Sequence, residues 1–146
     1  MNIFKNIRNR IRGLQKNCLI LKSLKCNGQS VTYQYHVTGE WKQYFSKKGT
    51  FTVDYGLDVS AVPEGVLVIP FLANVLPISW ICDAEVVVNE IEKDFYDCIE
   101  KLKKGYVEMY PMLSFKGGLI TKTIKNNNAK ITLNSSVKDH FSVITL

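Results

Sequence analysis

Two carboxylates separated by one residue, Asp83 and Glu85, are the first candidates for chemistry in this chain. The run DAEVVV over residues 83–88 predicts a strand, on which side chains two positions apart lie on the same face. Two carboxylates on one face can hold a metal ion or act as a general acid and base. An exposed strand face explains the same pattern, and we favour that interpretation. Asp94 and Asp97 form a similar pair on a regular helix, where solvated surface is the favoured explanation.

The cysteines and histidines lack the spacing of a metal site. The chain has four cysteines and two histidines without a CxxC motif, which argues against zinc. Cys82 and Cys98 lie in apolar surroundings and are predicted to be small core residues. The GxSxG, GxxxxGK, GxGxxG and HExxH patterns are also missing. We therefore assign no catalytic residue and no metal ligand, and we expect reduced thiols in a cytoplasmic protein.

The elements that must position the candidate residues are organised around an apolar stretch, Val66–Cys82, which reads VLVIPFLANVLPISWIC. It contains no charge, and its length is at the lower limit for crossing a bilayer. Its two prolines and the acidic residues that follow argue against a membrane span and favour a buried core segment. We predict a buried strand at 66–69 and a short buried helix near 71–76. Pro77 should end that helix, because the residue before a proline avoids helical geometry.

Asn74 places a polar amide inside this apolar stretch. A buried amide requires a hydrogen-bond partner, which is either structural or a ligand. Together with Trp80, Asp83 and Glu85, Asn74 completes the set of candidate substrate-binding residues.

The clearest helical pattern covers residues 90–104. Apolar residues at spacings of three and four form one face, and lysines gather in the last turn, as the helix dipole favours. Asn89 is a suitable N-cap with Glu92 three residues later, and Gly105 is a suitable residue just past the C-terminus. We therefore predict a long amphipathic helix over 90–104.

Alternation of apolar and polar residues predicts that much of the remaining chain forms strands. Asn27-Gly28 separates the first two strands and is a strong hairpin signal, because both residues accept positive φ. Gly117-Gly118 is interpreted as a second hairpin-like turn, flanked by the segments 112–116 and 119–124. The strands are predicted at 18–25, 30–37, 50–55, 83–88 and 130–133.

These elements predict one α+β domain over residues 1–133, with a mostly antiparallel sheet. Isoleucines and a leucine at helical spacing add an N-terminal helix at 2–15, whose apolar side is expected to pack on the body. Its basic side is also compatible with a membrane surface or nucleic acid. Residues 134–146 form a C-terminal tail.

The net charge of +6 admits a phosphate-bearing partner or an anionic surface without requiring one. The lysines are spread thinly, so we favour a solvated surface and disfavour a nucleic-acid partner. The segment 39–48, GEWKQYFSKK, mixes lysines with aromatic residues, a combination that can also bind single-stranded nucleic acid by stacking.

A longer pattern begins at Val62 and runs VPE, PFLANVLPISW, DAE, DFY, MYP and FKG. This series resembles the N-terminal domain of MurL-like proteins, which are UDP-N-acetylmuramoyl-L-alanyl-L-glutamate epimerases of bacterial peptidoglycan synthesis. The resemblance covers residues 50–118. It implies a downstream pyrophosphate-loop domain in which ATP, with magnesium, activates the glutamyl carboxylate by adenylation before the α-centre is inverted.

The tail departs from the phosphate-binding motif SGGVDS that the resemblance places downstream. Ser135 and Asp139 fall in register with SGGVDSF, as does Phe141, but Ser136 and Val137 replace the two glycines. A valine where the backbone must approach a phosphate would block the contact. We therefore expect no nucleotide binding and no cofactor for this chain alone.

Three functions remain open from the sequence. The resemblance implies a non-catalytic accessory domain that shapes the substrate site or docks on a missing catalytic domain or second chain. The alternatives are a stand-alone interaction module, such as a homodimer through 66–82, and a basic binder of nucleic acid or an anionic surface. The first function predicts an exposed apolar patch where the partner docks.

Overall fold

The computed structural model describes residues 16–126, which form one five-stranded sheet and three α-helices. The predicted α+β class is confirmed. The predicted helix at 2–15, the strand at 130–133 and the tail at 134–146 lie outside the described residues. The elements are β1 (Cys18–Asn27), β2 (Ser30–Thr38), a 3-10 helix (Glu40–Tyr44), β3 (Thr50–Asp54), α1 (Glu64–Leu67), α2 (Ile69–Ile81), β4 (Glu85–Glu92), α3 (Lys93–Met109) and β5 (Gly118–Lys125).

The sheet is mixed, so the prediction of a mostly antiparallel sheet is wrong. Its strand order is β3-β2-β1-β4-β5. β2 runs antiparallel to both β1 and β3, whereas β4 runs parallel to both β1 and β5. The parallel pairing of β4 with β5 follows from α3, because a helix between two neighbouring strands carries the chain back to the end of the sheet where the first strand began.

The β1–β2 hairpin is confirmed, with its turn one residue later than predicted. Asn27 pairs with Ser30, so Gly28 and Gln29 form a two-residue turn. Gly28 has a φ of 62°, and a positive φ at the first central residue suits a tight hairpin turn. Asn27 is therefore the last residue of β1 and not a turn residue.

The apolar stretch forms α1 and α2, so both the predicted strand at 66–69 and the predicted end of the helix near 76 are wrong. α2 passes through Pro77 and continues to Ile81. A proline removes the hydrogen bond to the carbonyl four residues earlier, here that of Ala73. Ala73 is exposed, so water can solvate its free carbonyl. Ser79 and Trp80 are fully buried, and their burial favours one more helical turn.

β4 is longer than predicted, and α3 begins later. The pairing of β4 with β5 continues through Ile91 and Ile124, so Asn89 is an exposed strand residue and not an N-cap. Burial of Ile91 in the core explains why the strand continues past Asn89. Glu92 is the N-cap of α3, since its Oε2 accepts a hydrogen bond of 3.0 Å from the Phe95 N–H.

α3 also ends later than predicted, because it passes through Gly105 and continues to Met109. Tyr106 packs edge-on against Trp80 with ring centroids 5.7 Å apart. This contact offsets the cost of a glycine inside a helix, which is about 1 kcal/mol. Residues 110–117 form a loop, and Gly118 begins β5 instead of completing a hairpin turn.

The hydrophobic core lies between one face of the sheet and the three helices. Cys82 is partly buried and packs against the core, as predicted. Cys98 is exposed, so its prediction as a core residue is wrong; Ile99, the next residue of α3, is buried in its place. The largest fully buried side chains are Trp41, Trp80, Tyr33, Phe71, Leu19, Leu72, Leu76 and Ile91.

Tyr33 connects β2 to the break between α1 and α2. Its ring is fully buried and stacks on Phe71 with centroids 5.3 Å apart. Its hydroxyl donates a hydrogen bond to the carbonyl of Leu67 at the end of α1. Burial raises the pKa of the Tyr33 hydroxyl well above its usual value.

We expect the stability of the protein to fall above about pH 10, and to fall less steeply in Tyr33→Phe. Above that pH the unfolded chain loses a proton that folded Tyr33 keeps, so stability is complete below the unfolded pKa and declines as the pH rises. At pH 7 the variant should lose about 1–3 kcal/mol, because the Leu67 carbonyl loses its donor. Urea unfolding at pH 7 and pH 11 measures both effects, with the exposed Tyr96→Phe as control. Identical pH dependence in wild type and Tyr33→Phe would contradict the assignment.

Candidate docking surface

The structure does not place Asp83 and Glu85 together on one strand face. Asp83 is exposed in the turn after α2 and has a φ of 48°. Glu85 begins β4 and forms an ion pair with Lys16, and this hydrogen bond raises the pKa of the Lys16 ammonium. Within residues 16–126, no group of three or more His, Cys, Asp or Glu side chains could hold a metal ion. The pair is therefore explained by a turn residue and an exposed ion pair, which adds little stability.

Asn74 and Trp80, the other two candidate residues, also lie in different surroundings from each other. Asn74 is exposed on α2, so the expectation that it is buried is wrong. Its side-chain nitrogen donates a hydrogen bond of 2.7 Å to the Pro70 carbonyl in the same helix. Trp80 is fully buried, so its ring acts through packing. The four candidates are not assembled into a substrate site.

Backbone hydrogen bonds join the end of α2 to the loop that precedes β5. The Trp80 carbonyl accepts from the N–H groups of Lys116 and Gly117, at 2.8 Å and 3.3 Å. The carbonyl of Ala84 accepts from the Gly118 N–H at 3.0 Å. These bonds position the last turn of α2 against the start of both β4 and β5.

Four aromatic side chains pack where α2, α3 and this loop meet. Tyr106 is central, with ring centroids 5.7 Å from Trp80, 6.2 Å from Phe115 and 6.5 Å from Tyr110. Trp80 is buried, whereas Tyr110 is 50% exposed, so the cluster extends from the core to the surface. We call Trp80, Tyr106, Tyr110 and Phe115 the aromatic junction.

Large apolar side chains are exposed around the aromatic junction. Met112 is 89% exposed, Met109 63% and Ile81 49%. Leu113 donates a backbone hydrogen bond to the Tyr110 carbonyl, so the loop turns back on itself here. Large exposed apolar surface marks interaction sites in soluble proteins. We call the exposed set the apolar rim: Ile78, Ile81, Met109, Tyr110, Met112 and Leu113.

The apolar rim is suited to binding another protein surface. Methionine adapts its shape to a partner, and tyrosine offers a large ring with a polar tip, so both are enriched at protein interfaces. The sequence did not reveal the junction as a unit, because its members come from three separate segments. The MYP and FKG motifs contain Tyr110 and Phe115 and were the available signal.

In comparisons with known proteins, no family model, no curated protein and no solved structure matches the chain. None of the helices within residues 16–126 has both the length and the apolar character needed to cross a membrane. The function is therefore inferred from the geometry of the rim and the junction.

Proposed function

We propose that this chain is a non-catalytic accessory domain that docks, in the cytoplasm, on a catalytic domain or second chain through the apolar rim. The observation that carries the proposal is the exposure of the six rim side chains around one packed junction. The resemblance to MurL-like proteins implies that the partner is a pyrophosphate-loop nucleotide-binding domain. In such a complex the partner binds ATP and magnesium, and this chain shapes one side of the substrate site.

The energetics of the rim support a docking role. Full burial of a large apolar side chain contributes roughly 1.5–3 kcal/mol. Interfaces concentrate their binding energy in a few such anchors, which are surrounded by less important contacts. Met112 and Tyr110 are suitable anchors, because Tyr110 stacks on Tyr106 within the aromatic junction and less ordering is then needed when a partner binds.

The positions of the sequence motifs also support the proposal. PFLANVLPISW ends at Trp80, MYP covers 109–111 and FKG covers 115–117. These three motifs are separated along the chain but meet at the aromatic junction through the Trp80 carbonyl and the ring of Tyr106. A docking surface common to MurL-like proteins would bring its motifs together in this way.

The double variant Ile81→Asp/Met112→Asp tests the docking role. Both side chains are exposed, so the fold should be retained, while a partner would have to bury two carboxylates. The ligand in the assay is the purified pyrophosphate-loop domain of a MurL-like protein. Calorimetry should show binding to the wild-type chain, weakened at least about 30-fold in the variant. ATP-dependent epimerisation of UDP-N-acetylmuramoyl-L-alanyl-L-glutamate by the mixture should fall in parallel.

The matched control is Tyr44→Asp/Leu57→Asp, which adds the same charge at two comparably exposed apolar residues outside the rim. It should leave binding within about twofold of wild type. Equal losses of affinity for the pyrophosphate-loop domain in the two double variants, or no binding by the wild-type chain, would show that the proposal is wrong. Self-association of the wild-type chain that only the rim variant breaks would favour a homodimeric interaction module instead.

A further inference from the structure

A cleft of about 510 Å³ lies between the edge of β2 and the segment 42–49. Its volume is within the range of small-molecule sites, which is roughly 300–1,000 Å³. It is separate in sequence from the apolar rim, since all its lining residues fall within 35–49. The side chains and backbone that decide its chemistry belong to Tyr35, His36, Val37, Lys42, Lys47 and Lys48.

The backbone of β2 contributes to the floor of this cleft, because β2 extends past the start of β3. β3 begins at Thr50, and the Tyr35 N–H donates to the carbonyl of Gly49 at 2.8 Å. Successive residues of a strand direct their N–H groups to alternate sides. The Val37 N–H is two residues further along and is therefore directed to the same side as that of Tyr35, into the cleft.

Packing against the core forms the opposite wall in advance of any ligand. Trp41 is buried, and its indole N–H donates to the Thr38 carbonyl at 2.9 Å. Phe45 packs edge-on against Trp41 and Tyr35, with centroids 4.8 Å and 5.9 Å apart. Gly49 has a φ of 62°, and a Cβ there would lie 2.6 Å from the Tyr35 carbonyl oxygen, so only glycine fits this corner.

The cleft has a strongly positive character. Lys42, Lys47 and Lys48 line it together with His36, and no acidic residue is among the described residues that line it. Elsewhere on the described surface lysines form ion pairs, as Lys93 does with Asp97. None of the ion pairs found within residues 16–126 involves the three cleft lysines.

We propose that this cleft binds a phosphorylated small molecule. Lys42, Lys47 and Lys48 are the phosphate ligands, because ammonium groups form strong, charge-assisted hydrogen bonds with phosphate oxygens. The Val37 N–H adds a donor of fixed direction. The rings of Tyr35 and Phe45 provide an apolar wall for the remainder of the ligand. This binding site does not depend on the docking role of the apolar rim.

Calorimetric titration of the full chain with inorganic pyrophosphate at low salt tests the proposal. We expect binding of one pyrophosphate per chain, weakened at least about tenfold in Lys42→Gln/Lys47→Gln/Lys48→Gln. The Val37 amide resonance should shift on addition of pyrophosphate to the wild-type chain. Parallel titrations with ADP and glucose 1-phosphate distinguish a nucleotide from a sugar phosphate, and tighter binding of either one supports the proposal and identifies the ligand class.

The matched control is Lys22→Gln/Lys25→Gln/Lys101→Gln, which removes the same charge at exposed lysines outside the cleft. It should change pyrophosphate affinity by less than about twofold. Thermal unfolding checks that both triple variants are folded, and Lys47→Glu alone provides a second test with a single exposed change. Equal weakening by the two triple variants, or no pyrophosphate binding at low salt, overturns the proposal. The proposal is also overturned if a 12-nucleotide single-stranded RNA binds the chain while pyrophosphate neither binds nor competes with the RNA.

Discussion

Gly117→Ala is expected to lower the free energy of unfolding by more than about 3 kcal/mol, or to prevent folding. A Cβ at this position would lie far inside van der Waals contact of the carbonyl oxygens of Ser79 and Ala84, and 2.6 Å from the Ser79 carbonyl carbon. These are backbone atoms in the last turn of α2 and just before β4, so they cannot move aside as a flexible side chain would. Urea unfolding followed by far-UV circular dichroism measures the loss.

Gly118→Ala is the matched control for this substitution. A Cβ on Gly118 meets no atom within 4 Å, although it is the neighbouring residue. The unfolding free energy of Gly118→Ala should stay within about 1 kcal/mol of that of wild type. We expect a small gain in stability, because alanine replaces a glycine within a strand. If Gly117→Ala unfolds at the same urea concentration as Gly118→Ala, the close approach of the loop to α2 is incorrect.

Trp80→Ala is expected to cost about 3–5 kcal/mol, the range for removing a large buried aromatic side chain. The ring is fully buried and supports Tyr106, the central member of the aromatic junction. Its loss should therefore also release Tyr110 and the apolar rim. Urea unfolding measures the stability, and calorimetry with the pyrophosphate-loop domain measures docking in the folded fraction.

Ile81→Ala provides the comparison for the tryptophan, since it is the next residue and is about half exposed. It should cost less than about 1 kcal/mol. Similar costs for the two substitutions would mean that Trp80 is not the centre of the packing between α2 and α3. A large loss of stability in Trp80→Ala without any loss of docking would show that the aromatic junction does not support docking through the apolar rim.

The sequence predicts those elements whose signals are local. Gly28 lies in the turn between two alternating segments, so the β1–β2 hairpin needs no information from elsewhere in the chain. The partner of β4 could not be predicted in this way. The pairing of Val86 with Leu19 joins distant residues, and an alternating pattern has the same appearance in a parallel and an antiparallel strand.

Helix ends were mispredicted where tertiary packing outweighs a local preference. Pro77 and Gly105 both indicate a helix end, yet both lie inside helices. In each case an aromatic residue of the junction follows within three positions, Trp80 after Pro77 and Tyr106 after Gly105. The contact between these two rings exists only in the folded chain, so no local pattern reveals it.

The candidate site could be predicted only in part for a related reason. An uncharged run suggests burial on all sides, but α2 has an exposed face that carries Ala73 and Asn74. Trp80 was among the candidate residues, and the structure places it beneath the proposed surface. The exposed residues Met109 and Met112 carry no catalytic signature, so sequence patterns alone did not single them out.

The mixed sheet has a consequence for how the chain folds. β1, β2 and β3 are consecutive in the chain and form one antiparallel unit. β4, α3 and β5 are also consecutive and form a second, parallel unit. Within the sheet, three parallel residue pairs join the two units, from Cys18 with Glu85 to Ile20 with Val87. The Asn17 side chain bridges the same boundary to the Cys82 carbonyl, across 65 residues of sequence. Pairings between residues distant in sequence form slowly, so this boundary should form after the two local units.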